Sequence, residues 1–143
     1  MIENPKGNFV VIAGMPNLGK TCVREGVVAA LRGKRILVES IKYPVYDSST
    51  GSRINDFLRN NNPEKLSMEQ AQELYAQNRR EYEPTLKTNL SQGMVVVAED
   101  YVITSRVRGQ LSGVAREKLV GFNEGLIEPD LTLLLDGERL GGR

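Results

Sequence analysis

Short apolar runs alternate along the chain with longer segments whose apolar positions recur every three or four residues. The run "NFVVIA" at 8–13 is rich in β-branched residues and of strand length, so it predicts a first strand. In "KTCVREGVVAALRG" at 20–33, Val23, Val27, Ala30 and Leu31 fall at helical spacing, and Gly33 stands where a C′ residue closes a helix. "KRILVES" (34–40) reads as a second strand, "IKYPVYDSSTG" (41–51) as a loop rich in turn formers, and "SRINDFLRNN" (52–61) as a short helix. Ser67 with Gln70 makes a capping box. From there Met68, Ala71, Leu74, Tyr75, Leu86 and Leu90 predict helix to about Leu90, with Pro84 expected to kink it or divide it in two. "GMVVVA" (93–98) is continuously apolar, as a buried parallel strand is. "SGVAREKLVGFNEGL" (112–126) has a weaker helical pattern, and "PDLTLLLD" (129–136) reads as a fourth strand.

Strands joined by helices predict an α/β fold with a mainly parallel sheet and right-handed crossovers. In such a sheet ligands bind beyond the carboxyl ends of the strands. Each predicted end is polar: a glycine loop after strand one, Glu39 after strand two, Glu99 and Asp100 after strand three, Asp136 after strand four.

The loop after strand one is the most specific feature. "GMPNLGKT" at 14–21 has the full G-x-x-x-x-G-K-[ST] spacing, with a strand before it and a helix after it. Glycines let the chain turn where a side chain would block a ligand. Backbone N–H groups then form a concave anion site, and the following helix adds the positive end of its dipole. The pattern assigns phosphate binding to Gly14, Asn17, Leu18, Gly19, Lys20, Thr21 and Cys22. Lys20 is expected to reach the β- and γ-phosphates of ATP, and the Thr21 hydroxyl to hold Mg²⁺. The fold class is therefore the P-loop NTPase type, a three-layer α/β/α arrangement. The step from "VVVA" to Glu99 and Asp100 resembles a Walker B strand, which delivers a carboxylate to the Mg²⁺ shell. A solvated acidic turn is the other reading of those two residues.

Composition narrows the classes. The chain has 143 residues, the size of one domain, with 19 basic against 18 acidic side chains and a net charge of +1. That balance offers no basic surface for nucleic acid. The longest apolar runs are strand length, which predicts no membrane span. "MIENPKGN" lacks the pattern of a signal peptide, so a cytoplasmic location is expected. A single cysteine, Cys22, excludes an internal disulfide framework and reads first as a small apolar residue on a helix. Histidine is absent, which excludes a His-based triad or a His-ligated metal. Proton transfer would fall to carboxylates, Lys, Tyr, substrate or water.

Four stretches together resemble the thymidylate kinase family: "FVVIAGMPNLGKT", "KYPVYDSSTGSRINDFLR", "LYAQNRREYEPTLKTNLSQGMVVVAEDY" and "EPDLTLLLD". Their order and spacing run through nearly the whole chain. The resemblance implies transfer of the ATP γ-phosphoryl group to a deoxynucleoside monophosphate, with dTMP as acceptor, Mg²⁺ as cofactor and a homodimer as assembly. By position it places Tyr75 against thymine, Arg79 on the base, Tyr101 near the ribose, and Tyr43 and Pro44 in the stretch that meets the monophosphate. Lys20 and Arg79 are the catalytic candidates, and Thr21, Glu99 and Asp100 the metal candidates. Tyr75 also fits a plain core stripe, and Arg79 a solvated face.

The departures from the family cluster on the acceptor side. An acid within the phosphate loop is replaced by Pro16, and an arginine after the aromatic-Pro step by Val45 or Tyr46. The family's Asp-Arg-Tyr step reads Glu99-Asp100-Tyr101, and its Gln-Gly signature reads "VITSRVRGQ" with the two exchanged. An acid in place of the phosphate-clamping arginine turns attraction into repulsion. Arg53, Arg106 and Arg108 are the candidates to compensate, although Arg106 and Arg108, as alternating residues of a strand or loop, would not both face one site. The domain, 1–143, is expected to lack the family's arginine-bearing lid and closing strand and helix, with Arg139 and Arg143 where a lid would begin. Two other functions stay open at this level: an NTP-binding relative with a regulatory role, and a kinase for a nucleoside or other uncharged acceptor.

Overall fold

The structure, a computed structural model, describes residues 6–138. The elements run β1 (Phe9–Gly14), α1 (Lys20–Gly33), β2 (Val38–Lys42), α2 (Ser49–Arg59), α3 (Met68–Ser91), β3 (Val95–Glu99), α4 (Val102–Leu111), α5 (Arg116–Phe122) and β4 (Leu131–Leu135). All strand pairs are parallel, in the order β2-β3-β1-β4. The chain folds into two compact units. Among the described residues the first is built from segments 6–43, 84–101 and 128–138, and the second from 44–83 and 102–127. Arg139 and Arg143 lie outside the described residues.

The first unit holds the sheet. Its core follows from the apolar stripe of α1: Val23, Val27, Val28 and Leu31 pack on Ile12, Val38 and Val97. Fully burying a side chain such as Ile12 or Val97 contributes about 1.5–3 kcal/mol, and the half-buried Val23, Val27 and Leu31 contribute less. The central strands β1 and β3 are almost wholly apolar, and Phe9, Val11, Ile12, Val96, Val97 and Ala98 are all fully buried. That is what a strand covered on both faces requires. Phe9 meets the Tyr101 ring edge-on at 5.0 Å, and Tyr101 lies 5.2 Å from the Tyr43 ring. At the start of β4, Asp130 grips β1 twice: Phe9 N donates to its carboxylate (2.7 Å), and its own N donates to the Phe9 carbonyl (2.8 Å).

The second unit is helical. Ser48 caps α2 by accepting from Gly51 N at 2.9 Å. Gly51 has to be glycine, because a Cβ there would stand 2.3 Å from the Val45 carbonyl. Gly109 on α4 likewise lets the Leu119 side chain of α5 approach; a Cβ would come within 2.6 Å of it. The Ser67–Gln70 capping box forms in both directions, at 2.9 and 3.1 Å.

Several element ends differ from the sequence reading, each for a local reason. Gly33 is the last residue of α1, not its C′. The left-handed residue is Arg35 (φ 60), and Lys34 N and Arg35 N close the turn on the Leu31 and Arg32 carbonyls. Strand β2 therefore starts later and runs on to Lys42, in register with β3 from Val38 opposite Val95 to Lys42 opposite Glu99. Glu39 is thus inside the strand, and Lys42 is its carboxyl end. Helix α2 starts at Ser49 rather than 52, because Ser48 caps it. Gly93 (φ 80) belongs to the turn after α3, so β3 begins at Val95. Pro84 does not divide α3, which is continuous from Met68 to Ser91. Residues 102–111, where Arg106 and Arg108 are expected on a strand or loop, form α4, whose mixed polar and β-branched composition masks helical periodicity. The helical segment expected over 112–126 shortens to α5.

Candidate active site

Local sequence shapes the phosphate loop in the first unit. Gly14 takes φ 156, and a Cβ there would lie 3.0 Å from the Leu135 carbonyl of β4. Asn17 (φ 64) and Gly19 (φ 87) are left-handed, conformations that Asn and Gly adopt most readily. Gly19 is the N-cap of α1 and supplies no capping side chain, so no side chain competes for the first N–H groups of the helix. Those groups and the α1 dipole leave an anion site at the carboxyl end of β1. Leu18 is half-buried, while Thr21 and Cys22 are exposed at the start of α1.

Lys20 is buried, and its ammonium donates to the Gly14 carbonyl at 2.9 Å and to the Asp100 carboxylate at 3.0 and 3.3 Å. The Thr21 hydroxyl donates to Glu99 Oε1 at 2.8 Å. Glu99 is only 2% exposed, and a carboxylate so placed must be compensated. Two cations absent from the sequence reading do this: Arg24 Nη1 lies 3.7 Å from Oε1 and Lys42 Nζ 3.3 Å from Oε2. Arg24 was legible as the residue one helical turn after Lys20. Lys42 was hidden by the early end assigned to strand two. Asp100, the residue after β3, sits in the left-handed region (φ 64). The structure thus joins Thr21 to Glu99 and Asp100 to Lys20. Tyr43 and Tyr101 are buried side by side, and Tyr43 N donates to the Glu99 carbonyl at 3.0 Å.

The second unit gathers the base-site candidates along α3. Arg79 is 5% exposed, not on a solvated face. Its guanidinium donates to Asn123 Oδ1 at 2.7 Å and to Ser105 Oγ. Tyr75 is half-buried; burial pushes its hydroxyl pKa up, Tyr46 adds to the rise, and Arg108 and Arg79 oppose it. It stays protonated at neutral pH. Asn78, 1% exposed, holds the loop that starts at the half-buried Pro44. It accepts from Val45 N (2.8 Å) and donates to the Val45 carbonyl, Ser48 Oγ and Thr50 Oγ1. The sequence signal for Asn78 was a polar residue within an apolar helical face.

The compensating arginines are placed differently from expectation. Arg53 is engaged by Glu64 in a two-pronged contact of 2.8 and 3.1 Å. Arg106 and Arg108 lie on helix α4, both exposed, two residues and so about 200° apart. They still do not share a face, but because of a helix rather than a strand. Tyr46 carries the Arg59 guanidinium 4.9 Å above its ring.

Comparison with known proteins fits this geometry. No family model matches the chain. It is 32% identical over 142 residues to a thymidylate kinase of Ligilactobacillus salivarius, covering 93% of this chain and 66% of that protein. It is 29% identical over 141 residues to that of Idiomarina loihiensis, covering 95% and 68%. It is 27% identical over 136 residues to that of Plasmodium falciparum, covering 94% and 63%. The chain belongs to the thymidylate kinase family. It is a divergent member, and it spans about two thirds of the length of these relatives. The thymidylate kinase structure from Candida albicans superposes with a TM-score of 0.79 at 23% identity, covering 92% of this chain and 63% of that one. That from Ehrlichia chaffeensis does so with 0.75 at 19%, covering 92% and 76%.

The oxygen donors of this thymidylate kinase relative suit Mg²⁺. Thr21 and Glu99 converge within 2.8 Å, and both are hard ligands. Among the described residues no group of three or more His, Cys, Asp or Glu side chains is gathered to hold a metal. Mg²⁺ in phosphoryl-transfer sites uses one or two carboxylates and completes its shell with phosphate and water, so this sparse set fits it. Among the described residues no helix is long and apolar enough to cross a membrane.

Proposed function

We propose that the protein transfers the γ-phosphoryl group of ATP to a deoxynucleoside monophosphate, dTMP, in the cytoplasm. The observation that carries this reading is the pairing of Thr21 with Glu99 directly beside Lys20, at the carboxyl ends of β1 and β3. It is the arrangement needed to hold a metal against a loop-bound triphosphate. Phosphoryl transfer asks the protein mainly for positioning and charge neutralisation. Lys20 and the α1 N-terminus bind the phosphates of the donor. Thr21 and Glu99 hold Mg²⁺, which when bound neutralises charge on the phosphoryl group. Asp100 is the counter-ion that Lys20 leaves when the triphosphate arrives. Tyr75 stacks on the thymine, and Arg79, held by Ser105 and Asn123, donates to it.

The acceptor oxygen belongs to a phosphate that is already ionised at neutral pH. Transfer then needs no general base, which accords with a chain that lacks histidine. The test is ADP formation with ATP and Mg²⁺ in the presence of dTMP, dUMP or thymidine, with Lys20→Ala as control. Turnover with dTMP that the control abolishes is expected. ADP formation with no dependence on a monophosphate would refute the reading.

A further inference from the structure

Three cations face two carboxylates at the ends of β2 and β3: Lys20, Arg24 and Lys42 against Glu99 and Asp100. They differ in what remains available to a ligand. Lys20 and Arg24 have side chains 8% and 15% exposed, whereas Lys42 is 53% exposed. Lys20 already donates to Gly14 and Asp100. Lys42 is the last residue of β2 and the register partner of Glu99, and its ammonium rests on Glu99 Oε2 at 3.3 Å while about half of the side chain stays exposed. A lysine ammonium has three donors.

Placement also separates Lys42 from the donor phosphates. Strand β3 lies between β2 and β1. Two strand spacings put the end of β2 about 10 Å from the end of β1, where the phosphate loop begins. The Lys42 ammonium and the Thr21 hydroxyl take different oxygens of the Glu99 carboxylate, Oε2 and Oε1, so Lys42 reaches that carboxylate from the β2 side while Thr21 reaches it from the phosphate loop, and it is anchored to meet a second anion there. Charge demands such a group. A monophosphate approaching a triphosphate brings like charges together, and Asp100 offsets the charge of Lys20. A metal held by Glu99 would satisfy that carboxylate and release the Lys42 ammonium to turn toward the incoming anion.

We propose that Lys42 is the residue that binds the phosphate of the acceptor, and that it does so by moving off Glu99. This rests on the nucleoside monophosphate kinase reading above. The test is titration calorimetry of the whole chain with dTMP, with thymidine and with a non-hydrolysable ATP analogue plus Mg²⁺, for wild type, Lys42→Gln and Lys42→Arg. Loss of one charge-assisted contact should weaken dTMP binding by about tenfold in Lys42→Gln. Thymidine and the ATP analogue should bind as in wild type, and Lys42→Arg should recover most of the dTMP affinity. Unchanged dTMP binding in Lys42→Gln overturns the proposal. So does an equal loss for dTMP and thymidine, which marks a structural role, or a loss confined to the ATP analogue, which puts Lys42 on the donor. If wild type binds neither dTMP nor thymidine, the monophosphate kinase reading itself fails, and this assignment fails with it.

Discussion

Lys20 Nζ lies 3.0 Å from Asp100 Oδ1, so the lysine of the phosphate loop is held by an acid that follows β3 directly. Both side chains are largely buried, at 8% and 15% exposure, where an ion pair is screened little by solvent. A triphosphate must draw Lys20 away from this partner before the lysine can serve it. Asp100→Asn removes the competing charge, and asparagine tolerates the left-handed backbone at this position as well as aspartate does. The variant is expected to bind an ATP analogue severalfold more tightly, while Lys20→Ala loses most binding. Calorimetric titration measures both. Weaker binding in Asp100→Asn would show that the acid is needed to orient the lysine.

The Thr21–Glu99 pair predicts a particular dependence on metal. Thr21→Ala deletes one oxygen donor and leaves Glu99 with its cationic partners alone. The Mg²⁺ concentration for half-maximal activity is expected to rise on the order of tenfold, with Thr21→Ser close to wild type. A Mg²⁺ titration of the ADP-forming reaction reads this directly.

Asn78 predicts a stability effect rather than a catalytic one. It serves as acceptor for one backbone N–H and as donor to three oxygens, all around Val45, Ser48 and Thr50. Asn78→Ala strands buried polar groups of that loop and should cost about 2–4 kcal/mol. Urea unfolding measures the change. A loss under 1 kcal/mol, on the order of an ordinary surface substitution, would mean that water replaces the side chain.

Arg79→Lys tests whether planar, two-sided hydrogen bonding matters in the second unit. Lysine keeps the charge but cannot reach Asn123 and Ser105 from one rigid head group. The KM for dTMP is expected to rise about tenfold or more, with the KM for ATP unchanged. Steady-state kinetics with each substrate varied in turn decides it.

Glu81 predicts a pH dependence of stability. Burial works to raise its pKa, but hydrogen bonds from Ser49, Thr50 and Ser48 outweigh that and leave it below the ordinary 4.5. A carboxyl whose folded pKa is depressed stabilises the fold fully above its unfolded pKa. That contribution is lost as pH falls through the folded value. Stability should therefore decline on acidification from about pH 4.5 downward, and Glu81→Gln should flatten part of the decline. Thermal unfolding as a function of pH, wild type against variant, gives the slope.

Much of this was legible from local pattern. The strand, loop and helix from Phe9 to Gly33 follow from β-branched residues, two glycines at fixed spacing and an apolar stripe. The Ser67–Gln70 box spans three residues and forms as written. Element ends were less legible, because pairing sets them: β2 extends to Lys42 because β3 offers it partners as far as Glu99. Helix α4 is not legible in the sequence because Val102, Ile103 and Val107 favour strand locally, while helical packing against α5 through Gly109 decides the outcome.

The sequence by itself determined the phosphate loop, the alternation that makes a parallel sheet and the family. The loop and each strand or helix rest on residues near one another in the chain, where spacing alone sets geometry, and the family rests on the order of four such stretches along nearly the whole chain. Only the tertiary structure decided which charges meet. Thr21 and Glu99 are 78 positions apart, and Lys20 and Asp100 are 80 apart. Their meeting depends on β1 and β3 pairing in register, and that of Lys42 with Glu99 on β2 pairing with β3. Those contacts are made by folding, and no local pattern carries them.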